Sequence, residues 1–342
     1  MERSEIVRMT RLLCQAPGTS GREDGAAEAA EALLSPLGRV ERTPLGSVLC
    51  HVCKGEPGAP HLMLEAHLDQ IGMVVTRVEK DGFLRVANVG GLDCRLLPAS
   101  PVTVHARQGR YHGVIASTPP HLSTGKEKPL KMEEILVDTG LSGEKAKELF
   151  APGDPITLDG EFAEMENGLM LSPAQDDRVG CVAVIAAAMM LKDRAPKCRV
   201  TVCLSAQEET SGYGAGTAAF ALAPDMALLV DVSFGDGFGV KEWECGTMNG
   251  GVEIDLAPAV NRPVFDRLRE LAREKEIPHQ IHAMGGRTGT DTDIVAASGR
   301  GVRCGLLSIP LRSMHTAVET VAAADVLSAA RLMAEFAWEV EQ

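Results

Sequence analysis

From about Asn167 onward the chain repeats one rhythm, a short apolar run and then a longer helical one, and that rhythm leaves few folds open. The run "RVTVCLSA" (199–206) is short, rich in Val, Leu and Cys, and preceded by polar residues, as a buried strand should be. The helical stretch "DDRVGCVAVIAAAMMLKD" comes before it, and a glycine-rich connection leads on to the strand "MALLVDVS". Next come "VFDRLRELAREKE" (helix), "HQIHAM" (strand), "TDTDIVAAS" (start of a helix), "GVRCGLLSIP" (strand) and "VETVAAADVLSAARLMAEFAWEV" (long helix). Such alternation requires a mostly buried central sheet covered by helices, an α/β architecture.

The middle of the chain has a different texture. Between residues 72 and 163, "DGFLRVANVGG", "SPVTVHARQGRYHGVIAS" and "GDPITLDGEF" are short alternating runs broken by Gly and Pro, which suits a β-barrel or sandwich. Only "SGEKAKELF" reads as helix there. A chain of 342 residues has room for two domains. The expected division is an α/β domain made of 1–71 and 164–342, interrupted by a β-rich domain at 72–163. In the first segment, Ser20 and Glu23 fit a capping box for an alanine-rich helix that Pro36 and Gly38 close. The strands "RVERTPLGSVLCHV" and "PHLMLEAHLD" follow.

The formal charge of −13 argues against nucleic acid and anionic membranes as partners and suits a protein that gathers cations. Nine cysteines, most of them in apolar runs, read as packed, reduced thiols. Cys50 and Cys53 have CxxC spacing, but no second pair follows at zinc-ribbon distance. No signal peptide or membrane span is apparent, so a cytoplasmic location is expected.

In open α/β sheets, sites gather beyond the C-terminal ends of strands. Here those ends carry chemistry. "PHLMLEA" ends on His67 with Asp69 two residues on, "RVTVCLSAQ" on Glu208 and Glu209, and "MALLV" on Asp231. "GVRCGLLSIP" runs out to His315, and Asp176 and Asp177 precede the long apolar helix. Each feature has a plainer reading: a chance H-x-D, a helix N-cap, a turn former, a solvated Glu-Glu pair. Five of them at comparable places in one pattern point instead to a metal centre, and mixed nitrogen and oxygen donors suit zinc, cobalt or manganese. Adjacent glutamates repel unless a cation lies beside them. Because neighbouring side chains diverge, one glutamate can bind metal while the other serves as a base. Period-two spacing lets Asp69 share the face of His67 and hold its second ring nitrogen. The other histidines read as strand or surface residues, with His121, in the polar loop "STPPHLSTGK", left open.

These motifs carry a resemblance. "GTSGRE", "AHLDQIGMVV", "VGGLDCRLLP", "GVIASTPPHL", "AQDDRVGC", "SAQEETSGYGA", "LLVDVS", "GTDTD" and "IPLRSMH", in this order and spacing, resemble the tetrahedral (TET) aminopeptidase family of di-metal peptidases. That family also goes by the names glutamyl aminopeptidase, deblocking aminopeptidase and cellulase M. The resemblance implies a zinc-peptidase-like α/β/α domain with a central mixed sheet and an inserted small β-barrel or PDZ-like domain. It implies two divalent ions per subunit, one held by His67 and Asp231 and the other by Glu209 and His315. Asp176 would bridge them, Glu208 would be the general base, and Asp69 would orient His67. Short peptides are the implied substrates, and dimers assembling into a tetrahedral dodecamer the implied homo-oligomer. Three departures bear on substrate preference. Gln70-Ile71-Gly72 stands where the family has Glu-Ile-Gly, Arg312-Ser313 where it has Arg-Tyr, and Ser233-Phe234 where it has Thr-His. The alternative function is a metal-dependent deacylase of small N-acyl amides. A glycosidase is a poorer fit, because its two carboxyls stand about 5–10 Å apart across a sugar, whereas Glu208 and Glu209 are adjacent.

Overall fold

The computed structural model describes residues 1–122, 128–192, 194 and 196–340. Strands β1 (Arg39–Arg42), β2 (Val48–Cys53) and β3 (His61–His67) begin a large sheet. The chain then leaves it for β4 (Gly72–Val78), β5 (Leu84–Val89), β6 (Pro101–Ala106), β7 (Gly109–Ile115), β8 (Leu136–Asp138) and β9 (Pro155–Leu158). It returns with β10 (Ala163–Glu164), β11 (Leu169–Ser172), β12 (Arg199–Ser205), β13 (Met226–Phe234), β14 (Val252–Leu256), β15 (His279–Ala283), β16 (Arg303–Arg312) and β17 (Glu319–Ala322).

The large sheet is mixed, in the order β1-β2-β12-β3-β13-β16-β17-β11-β10, with β14 paired to β16 and β15 to β14. Its centre, β12-β3-β13-β16, is parallel. The C-terminal ends of these four strands therefore share one edge. β3 is buried at every position and β12 at every position but its first, which is why their sequences are mostly apolar on both faces and do not alternate, with Glu65 and Thr201 the buried polar exceptions inside them.

Helices α1 (Arg3–Cys14) and α2 (Asp24–Leu34) precede the barrel, and α3 (Gly143–Leu149) belongs to it. Then come α4 (Gln175–Lys192), α5 (Tyr213–Leu222), α6 (Arg262–Glu274), α7 (Thr292–Ala296) and α8 (Ala323–Glu339). α4 packs on β3 and β13 and against α1 and α8. Every residue of α4 from Gln175 to Ala188 is buried, as expected of a helix apolar around its whole circumference. α5 and α7 pack on each other beside β12 and β16. No described helix is long and apolar enough to cross a membrane.

The six strands β4-β5-β8-β7-β6-β9 close into an antiparallel barrel. Closure removes the free edges that such short strands would otherwise expose. The barrel has its own core, including Met73, Val75, Val86, Val104 and Ile156.

The structure departs from sequence expectation in three places. Ser20 does not cap α2. Its Oγ shares a 2.9 Å hydrogen bond with Thr210 Oγ1, while Glu23 Oε1 accepts the Gly21 N–H at 2.6 Å. The final helix starts at Ala323, because Glu319–Ala322 pairs with β11 and β16 as a strand. β13 continues three residues past Asp231, held by pairing with β16. All nine cysteines are free thiols, Cys50 and Cys53 included.

Candidate active site

The parallel edge gathers the expected residues. β3 ends on His67, the loop after β12 carries Glu208 and Glu209, and Asp231 lies in β13 opposite Ser308 of β16. Asp176 opens α4, joined to Asp177 by a cis peptide. His315 follows β16 in a left-handed backbone conformation, φ +61°. His67, Asp176, Glu208, Glu209, Asp231 and His315 line one cavity of about 500 Å³. Asp69 is fully buried against it.

Asp176 is the centre of the cluster. Its Oδ1 lies 3.1 Å from His67 Nε2, and its Oδ2 lies 3.2 Å from His315 Nε2. Glu209 Oε1 is 3.3 Å from the same His315 nitrogen. On the other side, Asp231 Oδ1 and Glu208 Oε2 stand 3.8 and 3.9 Å from His67 Nε2. Two donor triads, His67–Asp176–Glu209 and His67–Asp177–Asp231, each bring their ligand atoms within 4.8 Å of one another. Asp177 also fulfils the capping reading, since its Oδ1 accepts the Gly180 N–H at 3.0 Å.

The electrostatics are those of an acid cluster whose positive partners are the imidazoles of His67 and His315. Among the described residues, no lysine or arginine lines the cavity. Burial, with repulsion from Asp231, Asp291 and Glu209, pushes Glu208 up to about 9. Burial likewise pushes Asp231 up to about 8, with Asp176 adding repulsion. The carboxylates of Asp176 and Glu209 push His315 up to about 11. Burial opposes ionisation of Asp176 too, but the imidazoles of His315 and His67 outweigh it and hold that carboxyl well below the usual range. Buried, hard oxygen donors mixed with imidazoles, and Glu209 Oε1 without a hydrogen-bond donor, fit divalent cations.

Several supports were not visible in the sequence. Glu319, 1% exposed, accepts the N–H of His315 on Oε1 at 2.8 Å and that of Asp176 on Oε2 at 3.1 Å. It thereby ties two cluster residues together, and no local pattern marks it. Asp69 receives the N–H groups of Glu208 (2.9 Å) and Glu209 (3.1 Å), and lies 3.6 Å from His67 Nδ1, beyond hydrogen-bond length. The barrel also reaches the cluster. A Cβ at Gly91, in the loop after β5, would stand 2.8 Å from His315 Nδ1, so only glycine fits this close approach. His121 is exposed, and the adjoining residues 123–127 lie outside those described.

A profile of the M42 glutamyl aminopeptidases matches residues 46–332. The chain belongs to the M42 aminopeptidase family. The lysyl aminopeptidase of Pyrococcus furiosus is 33% identical over 328 residues, 93% of this chain and 92% of that one. Among solved structures, the aminopeptidase APDkam598 of the archaeon Desulfurococcus kamchatkensis has a TM-score of 0.92 at 32% identity, covering 99% of this chain and 96% of that one. The TET1 peptidase of Pyrococcus horikoshii, which can assemble into a tetrahedron or a large octahedral shell, has a TM-score of 0.86 at 28% identity, covering 98% and 99%. M42 peptidases are metal-dependent aminopeptidases, and this M42 chain carries a candidate metal cluster to match.

Its departures from the family pattern now have positions. Gln70 Oε1 accepts from Arg178 Nη2 at 3.1 Å, under the site and outside the cavity. Arg178 is fully buried and also donates to the carbonyls of Leu68 and Ala16. Ser313 adopts φ +59°, and Phe234 lines the cavity while more than half exposed.

Proposed function

We propose that the cluster is a two-metal centre that removes N-terminal residues from short peptides. Asp176 carries the argument, because its two oxygens face two different histidines at 3.1 and 3.2 Å, as a bridging carboxylate requires. His67 and Asp231 would hold one ion, and Glu209 and His315 the other. Zinc or cobalt suits these donors, with manganese a third option. When bound, the ions would offset the carboxylate charge and polarise both the attacking water and the scissile carbonyl.

The protein's own groups then divide the work. Glu208 accepts the proton of the attacking water and passes it to the leaving amine. A neighbouring positive charge draws its raised pKa down toward the range that such a base needs. Asp69 and Glu319 hold the backbone of four cluster residues, so the side chains need not reorganise during the reaction. An acid-lined cavity receives a protonated α-amine, which favours free N termini and argues against a deacylase.

Near full-length similarity to the P. horikoshii peptidase supports dimers that close into a tetrahedral shell, with residues 72–163 as the dimerisation unit. Nine free thiols suit the reducing cytoplasm.

The test is mass spectrometry of a peptide panel, each member free and N-acetylated, with zinc- or cobalt-loaded protein and an EDTA control. Stepwise loss of first residues from free peptides only, abolished by EDTA, is the expected result. Acetyl release with intact peptides would establish the deacylase instead.

A further inference from the structure

The two halves of the cluster are held by different parts of the fold. His67 closes β3 and Asp231 lies within β13, so strand pairing inside the α/β domain fixes both. Glu209 and His315 are loop residues. His315 stands beyond the end of β16, and its side chain is 32% exposed, against 3% for that of His67. A loop imidazole with that freedom keeps one orientation only if something outside its own strand supports it.

The barrel supplies that support. The segment after β5 is anchored at one end by the pairing of Val89 with Gly72 and at the other by Leu97, buried in the barrel core. Asn88 Nδ2 fixes its first turn by donating to the Gly90 carbonyl at 2.9 Å. A Cβ at Gly90 would lie 3.1 Å from Glu209 Oε2, and one at Gly91 would lie 2.8 Å from His315 Nδ1 and 3.1 Å from Cε1 of the same ring. Among the described residues, Gly91 is the barrel's only contribution to the cavity wall. A second contact reaches the His315 loop from another part of the barrel. Ala317, two residues on, packs against the barrel core, and Gly160, after β9, approaches so closely that a Cβ there would stand 2.6 Å from the Ala317 carbonyl oxygen. The barrel thus packs on both loop residues of the cluster and borders the His315 segment at two points.

We infer that Gly90 and Gly91 are positioning residues for one ion of the pair: the barrel sets the site of Glu209 and His315, while the site of His67 and Asp231 belongs to the α/β domain alone. This rests on the two-metal reading and adds which of the two sites depends on the seating of the barrel. A side chain at position 91 would meet the imidazole and turn it, which displaces a donor atom of one site and leaves His67 and Asp231 in place. Gly91 lies outside the left-handed region, so alanine fits its backbone and the substitution acts through the added methyl group.

Zinc stoichiometry and affinity, read by calorimetry and elemental analysis on the full-length protein, test this. Wild type should bind two ions. Gly91→Ala should keep one at unchanged affinity and bind the other at least about tenfold more weakly, with circular dichroism as in wild type. Adding Gly91→Ala to His315→Ala, where the ring is gone, should leave the affinity of the remaining ion unchanged. Two ions at wild-type affinity in Gly91→Ala, or both weakened alike, would overturn the assignment and leave the two-metal reading standing. Wild-type protein that binds fewer than two ions would overturn both. Should Gly91→Ala not fold, Gly160→Ala decides, since it crowds the Ala317 carbonyl and not the ring. Weakening of one ion alone is then the expected result, and two ions at wild-type affinity the overturning one.

Discussion

Asp69 Oδ1 accepts the backbone N–H of Glu208 at 2.9 Å. The other oxygen accepts the N–H of Glu209, so one buried carboxylate fixes the turn on which two adjacent glutamates diverge. On the proposed reading, this turn keeps Glu208, the base, and Glu209, the ligand, from exchanging places. Asp69→Asn would put an NH₂, which cannot accept, where one of those oxygens stands. We expect a roughly 10–100-fold fall in kcat/KM with the fold retained, measured on metal-verified protein alongside circular dichroism. Wild-type kinetics would mean that the turn holds without this support.

Glu208→Gln preserves shape and removes the proton acceptor. Turnover should fall by about 10²–10⁴-fold while elemental analysis still finds two ions per subunit. A fully metallated variant with near wild-type rates would exclude Glu208 as the base.

The parallel core was legible in the sequence because strands buried on both faces are predominantly apolar without alternation, as most of β3, β12 and β13 is. The cluster was legible because these strands all end at one edge, where His67, Glu208 and Glu209 had to meet. Glu319 was not legible. Its "VETVA" context has helical character, and only pairing with β11 and β16 makes it a strand that faces Asp176. Glu253 and Asp255 were hidden for a similar reason. Alternation in "VEIDL" says that they share a face, but only the register of β14 on β16 says that the face is the cavity.

Removing metal should destabilise the protein, because ions that bind the folded cluster and not the unfolded chain stabilise the fold by mass action. Free zinc at 100–1,000 times its Kd would stabilise the fold by about 3–4 kcal/mol per site, so an EDTA-treated sample should melt at a lower temperature than the reloaded one. Binding at neutral pH should also release protons, since Glu208 and Asp231 sit near 9 and 8 without cations. Calorimetry in buffers of different ionisation enthalpy measures that release. His67→Ala should leave one ion per subunit, and two retained ions would refute its ligand role.

Glu23 gives a pH signature of stability that is separate from the cluster ligands. It is 5% exposed, and burial, with repulsion from Asp69, pushes its carboxyl from 4.5 up to about 7 despite the Gly21 N–H that it accepts. Below 4.5 both folded and unfolded chains hold the proton, and the group contributes nothing to pH dependence. Between 4.5 and about 7 the unfolded chain releases it while the folded chain keeps it, so stability falls as pH rises. Above that window both are ionised and the penalty is constant, on the order of 3 kcal/mol. Glu23→Gln stays neutral throughout. Its stability relative to wild type, followed by denaturant unfolding of metal-free protein, should therefore rise across this window and then level off. A difference independent of pH would mean that Glu23 ionises in the folded protein as readily as in the unfolded chain.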